Sequence, residues 1–183
     1  AFGLQPVYVD GARIHSNSWG TSGQGQYTLY SRQVDDFVWN QRDMVIVFPA
    51  GNDGRDGNVD GVTDPGSIGA PGTAKNCITV GATESERTTG WYTTYGAAWS
   101  SDFPIQPIRD DNISNNRNGM VAWSGRGPCA DNRIKPDICA PGTNIISLRS
   151  TALGLSPIWW MPHDTYYAYM GGTSVSVPMV AGA

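Results

Sequence analysis

Residues 44–54 read MVIVFPAGNDG, an apolar run that ends in a glycine turn. A short continuous apolar run bounded by turn residues is typical of a strand buried on both faces of a parallel sheet. Asn52 then follows the carboxyl end of that strand, where open α/β sheets place their sites. Its side-chain amide can donate a hydrogen bond to an oxyanion. The alternative is a turn asparagine, since this residue tolerates a left-handed backbone.

Outward from this strand, helical and extended patterns alternate. The apolar spacing predicts a helix over residues 29–41, a strand over 44–48 and further strands over 77–80, 121–124 and 144–148. Residues 91–118 are polar, aromatic and rich in turn residues, which predicts a long excursion between strands. Helices between strands indicate an α/β fold with a mostly parallel sheet and right-handed crossovers.

Residues 171–182 read GGTSVSVPMVAG and place Ser174 where a helix begins. The free N–H groups and the positive dipole end at a helix start favour developing negative charge. A nucleophilic serine needs this environment, because an oxyanion forms beside it when it attacks a carbonyl. The alternative is a glycine turn followed by an ordinary serine or threonine cap.

Composition limits the possible functions of the chain. Its 183 residues suit a single domain, and 39% apolar against 15% charged residues argue against disorder. The net charge of −4, without a Lys/Arg cluster, argues against a nucleic-acid partner. The apolar runs are far shorter than the roughly 20 residues of a membrane helix, so no membrane partner is expected. The three cysteines are either small buried thiols or include a local Cys129–Cys139 disulfide.

The loop after Asn52 is acidic and rich in glycine. Its oxygen-bearing residues alternate as in the first nine positions of an EF-type calcium loop, with a glycine at the sixth; the candidate ligands are Asp56, Asn58, Asp60, the Val62 carbonyl and Asp64. Ser67 stands where such a loop has a bidentate glutamate. The loop is therefore either a structural calcium site or a solvated acidic turn.

Five segments, in the same order, resemble motifs of the subtilisin-like serine peptidases, the subtilases. They are residues 14–20 (IHSNSWG), 50–54 (AGNDG), 70–82 (APGTAKNCITVGA), 135–142 (KPDICAPG) and 172–178 (GTSVSVP). The resemblance covers nearly the whole chain and is nearest to the large bacterial alkaline, oxidatively stable subtilases. It implies a three-layer α/β fold, secretion, and a serine endopeptidase that acts on proteins or peptides; structural calcium is common in the family.

The resemblance also implies roles for individual residues. Ser174 would be the nucleophile, and Asn52 with the Ser174 N–H would hold the oxyanion. The substrate backbone would pair with Ser18, Trp19 and Gly20, although Trp19 could instead be a core residue. The small residues Ala50, Gly51, Pro71, Gly72 and Thr73 would line a roomy pocket for a large apolar side chain before the scissile bond. Five aromatic residues near the nucleophile either rim the cleft or anchor a loop: Trp159, Trp160, Tyr166, Tyr167 and Tyr169.

The chain departs from the family at two places of its catalytic machinery. The glycine-flanked Asp and His motifs of the triad are absent, and neither His15 nor His163 has the flanking residues of a catalytic histidine. We therefore expect residues 1–183 to be part of a catalytic domain, incomplete at both ends, inactive alone, and partnered by the remainder of that domain. The alternative is a non-catalytic subtilase-like module or pseudoprotease. An α/β-hydrolase esterase is excluded, since Ser176 stands where its Gly-x-Ser-x-Gly motif ends in glycine.

Overall fold

The main sheet has four parallel strands, which are the first four strands of the chain and lie side by side in sequence order. The chain is described from a computed structural model over residues 3–150 and 160–183. The strands are β1 (Ile14–Ser16), β2 (Val45–Pro49), β3 (Ile78–Thr83), β4 (Ile138–Pro141), β5 (Ile145–Leu148), β6 (Trp160–Pro162) and β7 (Tyr167–Met170). The helices are α1 (Leu4–Val9), α2 (Leu29–Asn40), α3 (Tyr95–Ala98) and α4 (Thr173–Gly182), with a 3-10 turn at Ile108–Asp110.

Both faces of the main sheet are covered by helices. Along β2 successive side chains point to opposite faces, so Ile46 and Phe48 pack with Leu4 and Val34 of α1 and α2. On the other face Val47 packs with Val80 of β3 and Val177 of α4. The predicted three-layer α/β architecture with a mostly parallel sheet is thus confirmed.

The strand predicted over residues 121–124 is wrong: this segment is a buried turn. The Ser124 N–H bonds to the Val121 carbonyl at 3.0 Å, which closes the turn. The Arg126 guanidinium donates to the carbonyls of Val121 and Ala122 at 2.9 and 3.3 Å. These carbonyls are satisfied without a neighbouring strand, so the apolar residues here mark burial and not a sheet.

A second, antiparallel sheet of order β5-β7-β6 carries the chain toward α4. The predicted excursion over residues 91–118 contains α3 and the 3-10 turn, and it has a core of its own around Tyr95 and Phe103. All three cysteines are free, and Cys77 and Cys129 are buried. Over residues 3–150 and 160–183, no helix combines the length and the apolar character that crossing a membrane requires.

Candidate active site

Ser174 lies in the first turn of α4, directly after the strand β7 and two glycines. The turn depends on Gly172, whose φ of 137° lies in a region that side-chain-bearing residues rarely adopt. The Gly172 N–H donates to the Gly142 carbonyl at 2.8 Å, which ties the turn to the end of β4. The Ser174 hydroxyl forms no hydrogen bond within the described residues. It lies at a helix start, as the sequence predicts, and it is half-buried.

The side chain of Asn52 meets this turn from the end of β2, 121 residues away along the chain. Its Oδ1 accepts the Thr173 N–H at 2.9 Å and the Thr173 hydroxyl at 2.9 Å. Because both bonds use the carbonyl oxygen, the amide nitrogen Nδ2 is the part of Asn52 that stays available as a donor.

Two N–H donors face one space beside Gly172. A Cβ atom placed on Gly172 would lie 3.7 Å from Asn52 Nδ2 and 3.8 Å from the Ser174 backbone nitrogen. Glycine leaves this space open, and the Ser174 N–H belongs to the helix turn whose first N–H groups have no intrahelical partner. The arrangement can hold a small anionic oxygen between an amide and a backbone N–H.

Ser18 holds the carbonyl of the candidate nucleophile. Pro178 stands four residues after Ser174 in α4 and has no N–H, so the helix cannot satisfy the Ser174 carbonyl. The Ser18 hydroxyl donates to that oxygen at 2.7 Å. The segment after β1 is thereby fixed to the start of α4.

A cleft of about 350 Å³ runs along these residues. Its lining includes the predicted residues Trp19, Gly20, Gly51, Asn52 and Ser174, together with Thr21, Ser22, Pro49, Asp53, Gly69 and Thr173. Trp19 also packs edge-on against Phe48, with ring centroids 5.3 Å apart, and keeps 40% of its surface exposed. It therefore has both roles that the sequence left open, a wall of the cleft and a contact with the core.

Four of the predicted pocket residues lie buried behind the cleft and are not among its described lining. Ala50 continues β2, donating its N–H to the Val80 carbonyl at 2.8 Å. Pro71 and Gly72 are buried. The Thr73 hydroxyl is hydrogen-bonded to Ser31 Oγ at 2.7 Å and donates to the Gln26 carbonyl at 2.9 Å. The structure gives Ala50, Pro71, Gly72 and Thr73 a packing role, while Gly69 contributes to the lining.

Neither histidine is hydrogen-bonded to Ser174 in the described residues. His15 lies in β1 beside Ile46, and its buried Nδ1 has no hydrogen-bond partner in the described part of the chain. His163 bonds to the neighbouring Asp164 at 3.0 Å and packs against Tyr169, with ring centroids 5.3 Å apart.

Of the five aromatic residues that precede Ser174 in the sequence, Trp159 and the side chain of Trp160 fall outside the described residues. Tyr166 and Tyr167 are exposed, and Tyr169 lines a small internal cavity with Trp91 and Trp99. None of these tyrosines is among the described residues that line the cleft. Tyr169 thus anchors β7 on the excursion.

The acidic loop forms a turn held by its own carboxylates. Asp56 is buried and accepts the N–H groups of Asp60 and Gly61, both at 2.9 Å, while Gly61 has a left-handed φ of 84°. Asn58 Oδ1 accepts the Asp60 N–H at 3.1 Å, and Asp60 Oδ1 accepts the Val62 N–H at 2.9 Å. Asp64 accepts the Gly57 N–H at 2.8 Å.

Within residues 3–150 and 160–183 no three His, Cys, Asp or Glu side chains are placed to hold one metal ion. These side chains stabilise the turn by accepting backbone N–H groups, and calcium stays a prediction.

Two further residues of the site, Thr173 and Asp53, carry no local sequence signal. Thr173 orients Asn52, but its partner lies across the molecule and no local pattern shows the contact. Asp53 lines the cleft beside Asn52, and the sequence shows its charge without showing which way it faces. Thr21 and Gly69 reach the cleft because Thr21 pairs with Ala70 in a two-residue antiparallel bridge.

Comparisons with known proteins give matches along nearly the whole chain. The model of the subtilase family, peptidase family S8, matches residues 2–183. Serine protease AprX of Bacillus subtilis (strain 168) is 33% identical over 140 residues, covering 76% of this chain and 24% of that protein. The serine protease/ABC transporter B family protein tagD of Dictyostelium discoideum is 29% identical over 236 residues, covering 98% of this chain and 12% of that protein.

Solved structures show the same fold. The prenylagaramide maturation protease PagA superimposes with a TM-score of 0.58 at 16% identity, covering 98% of this chain and 44% of that one. The S41 psychrophilic protease gives a TM-score of 0.51 at 22% identity, with 98% and 44% of the two chains covered. The chain spans less than half the length of each of these proteins.

Proposed function

The chain belongs to the subtilase family, and on that premise we propose that it supplies the nucleophile and the oxyanion site of a subtilisin-type serine endopeptidase. The main support for the proposal is the contact between the Asn52 side chain and the start of α4. Two hydrogen bonds of 2.9 Å from Thr173 hold the Asn52 carbonyl oxygen, and the amide Nδ2 faces the same open space as the Ser174 N–H.

In the proposed reaction Ser174 Oγ attacks the carbonyl carbon of a peptide bond. The carbonyl oxygen becomes an oxyanion and accepts hydrogen bonds from Asn52 Nδ2 and the Ser174 N–H, supported by the positive end of α4. Collapse of this intermediate breaks the C–N bond, releases the protonated amine and leaves an acyl group on Ser174. Water then attacks the ester, and the peptide acid leaves with the serine hydroxyl restored.

The substrate backbone would lie along the segment after β1. Ser18 and Gly20 form no backbone–backbone hydrogen bond within the described residues, so their N–H and carbonyl groups can pair with an extended peptide. The Ser18 side chain bonds to Ser174, which fixes this segment at the mouth of the cleft. The binding energy then comes from main-chain groups that every peptide has.

A general base must take the proton from Ser174 Oγ, and the proposal assigns this role to residues that the chain does not contain. Neither of its two histidines is bonded to the hydroxyl in the described residues. We therefore expect residues 1–183 alone to have negligible peptidase activity, and the full natural protein to be active.

The test labels the full natural protein with a fluorophosphonate and assays it on chromogenic peptides. Label should reside on Ser174 and disappear in Ser174→Ala. Asn52→Ala should lower kcat by about 100- to 1,000-fold, because one oxyanion donor is lost. Asn40→Ala, at the exposed end of α2, is the matched control and should keep wild-type kcat. An inactive natural protein that resists the label would reject the proposal in favour of a non-catalytic subtilase-like module.

Calcium and secretion belong to the proposal as well. The spacing from Asp56 to Asp64 and the left-handed Gly61 support a calcium-binding turn at this loop. Binding would require the carboxylates of Asp56, Asp60 and Asp64 to turn toward one ion. Secretion is supported by the resemblance to secreted bacterial subtilases, and immunoblotting of cells and medium of the source organism tests it.

A further inference from the structure

A groove of about 870 Å³ lies between the acidic loop and the excursion. Its lining includes Val62 of the loop, Ile108 of the excursion, and Met120 and Arg126 of the segment that follows the excursion. It shares no described lining residue with the cleft at Ser174. Ligand-binding pockets have volumes of about 300–1,000 Å³, so this groove is large enough to be a second binding site.

Arg126 brings to the groove a half-buried positive charge without a counterion. Its Nη2 donates to the carbonyls of Val121 and Ala122 at 2.9 and 3.3 Å, and its Nε donates to the Ser124 carbonyl at 3.4 Å. Within the described residues Arg126 forms no ion pair and its Nη1 forms no hydrogen bond. Burial lowers the pKa of the Arg126 guanidinium, because a charge held away from water is less stable. A carboxylate at Nη1 would supply the missing counterion.

The carboxylates that line the same groove already have partners. Glu84 is buried and accepts three hydrogen bonds from the protein. Asp110 pairs with Arg109 at 2.7 Å, and Asp111 accepts two hydrogen bonds at 2.9 Å. Asp111 is also exposed, so water screens its charge more than it screens the half-buried Arg126. The unmatched charged group of the groove is therefore a donor, which favours an anionic ligand.

Met120 offers the groove a main-chain N–H and a carbonyl that form no hydrogen bond within the described residues. Met120 pairs with Thr83 of β3 in an isolated antiparallel bridge, and bonds of 2.9 and 3.0 Å between their neighbours join the two segments. In such a pair the main-chain groups of the bridged residue point away from the partner strand. They are free to bond to an extended chain, as in recognition by strand addition.

We propose that this groove binds an extended polypeptide segment that carries a glutamate or an aspartate, with the acidic side chain paired to Arg126 and the backbone bonded to Met120. A small organic acid would satisfy Arg126 but not Met120, whereas a polypeptide has both kinds of group. Apolar side chains of the segment would cover Val62, which is 60% exposed. The site lies outside the cleft and does not depend on the proposed peptidase function.

The test uses the full natural protein with Ser174→Ala, which cannot cleave the probe. The probes are three labelled heptapeptides of valine and threonine, residues that favour an extended chain, which differ only in a central Glu, Gln or Lys. Fluorescence anisotropy measures each Kd. We expect the Glu peptide to bind about tenfold more tightly than the Gln peptide, because its hydrogen bond to Arg126 joins two charged groups, and the Lys peptide to bind most weakly.

Variants at Val62 test the position of the acidic residue without disturbing Arg126. Val62→Glu should weaken binding of the Glu peptide about fivefold and Val62→Lys should strengthen it by a similar factor, the upper range for an exposed ion pair. Val59→Glu, at an exposed valine of the same loop outside the described lining, is the matched control and should leave Kd unchanged. Arg126→Gln should remove the difference between the Glu and Gln peptides; if its lost carbonyl bonds prevent folding, the Val62 pair still decides the outcome.

Hydrogen exchange shows where the peptide binds. The Met120 amide should exchange more slowly when the Glu peptide is bound, because its free N–H gains an acceptor. Equal Kd values for the Glu and Gln peptides would overturn the proposal, as would absence of binding or protection confined to residues 17–22 of the cleft. None of these results bears on the peptidase, which labelling of Ser174 tests separately.

Discussion

At the residue scale, Thr173 decides which way the Asn52 amide points. Its N–H and its hydroxyl both bond to Asn52 Oδ1 at 2.9 Å. A flipped amide would place its own N–H groups against these donors and leave them unsatisfied, which is costly at buried Thr173. The protein itself thus orients the donor Nδ2, and in the proposed reaction such a preorganised donor stabilises the transition state without further rearrangement.

Replacing Thr173 by valine should loosen this orientation. Thr173→Val keeps the N–H bond to Asn52 and the shape of the side chain but removes the hydroxyl donor. We expect kcat to fall about tenfold with KM nearly unchanged, since the oxyanion forms only during the reaction. Steady-state kinetics of the full natural protein measures both constants. Thr173→Ser restores the hydroxyl and should recover most of kcat; wild-type kcat in Thr173→Val would show that the N–H alone holds Asn52.

Some residues of the site can be found from a short sequence motif, and others only from their contacts in the folded chain. Ser174 and Asn52 could be predicted because each stands in a short motif with its glycines. Thr173 and Asp53 could not, because their roles depend on contacts and directions across space. Pro71, Gly72 and Thr73 stay a prediction as pocket residues: small residues are compatible with a pocket, but these three are not among the described lining of the cleft, and the Thr73 hydroxyl is bonded to Ser31 and Gln26.

At the element scale, the acidic loop is a tight turn whose carboxylates accept backbone N–H groups. Asp56 is 1% exposed and satisfies the N–H groups of Asp60 and Gly61. The left-handed Gly61 leaves no room for a side chain, since a Cβ there would lie 2.3 Å from the Gln106 carbonyl oxygen. The loop therefore packs closely against residues 91–118 at Gly61.

Calcium should protect this loop from hydrogen exchange if it binds there. We expect millimolar calcium to slow exchange over residues 55–66 of the full natural protein, and a chelator to reverse the effect. A ligand at 100 times its Kd stabilises the bound state by about 2.7 kcal/mol. Asp60→Ala should abolish the calcium-dependent protection, and Asp10→Ala should retain it. Equal exchange of this loop with calcium and with chelator would reject the site.

Elements with a strong local pattern were predictable. The helix expected at residues 29–41 is α2, and the strand expected at 44–48 is β2, each shifted by at most one residue at either end. The three residues of β1 are too few for a pattern, and two of the four residues of β7 are tyrosines that resembled a loop anchor. The strand expected at 121–124 was wrong because Arg126 satisfies its carbonyls. A sequence shows apolar character but not which hydrogen bonds close a turn.

At the scale of the whole molecule, buried hydrogen bonds join the excursion to both sheets. Glu84, just after β3, accepts the Tyr95 hydroxyl at 2.7 Å and the N–H groups of Asn115 and Asn116 at 3.1 Å. At the connection from β4 to β5, Thr143 accepts the Ser114 hydroxyl at 2.8 Å. The neighbouring Gly142 carbonyl accepts the Gly172 N–H, so the excursion and the turn before Ser174 are attached to the same connection.

Glu84 should make the excursion sensitive to pH. Burial raises the pKa of the Glu84 carboxyl, although hydrogen bonds from Tyr95 and from the N–H groups of Asn115 and Asn116 favour its charged form. The folded state therefore holds the proton more tightly than the unfolded state. The stability that Glu84 contributes is full below its ordinary pKa of 4.5 and falls as the pH rises through the raised folded value.

Replacing Glu84 by glutamine keeps the shape of the side chain and removes its titrating carboxyl. Glu84→Gln puts an NH2 group where either Tyr95 or the two N–H groups need an acceptor, so we expect a loss of about 1–3 kcal/mol in the opening free energy of the excursion. The variant should also lose the fall in stability with rising pH, because its side chain does not titrate.

Hydrogen exchange over residues 85–120 of the full natural protein, measured from pH 4 to 8 and corrected for intrinsic rates, reports both effects (about 1.4 kcal/mol per tenfold change in protection). Glu86→Gln, whose side chain is 64% exposed, is the matched control and should follow the wild type. Parallel pH profiles for Glu84→Gln and the wild type would show that this carboxyl does not govern the attachment of the excursion.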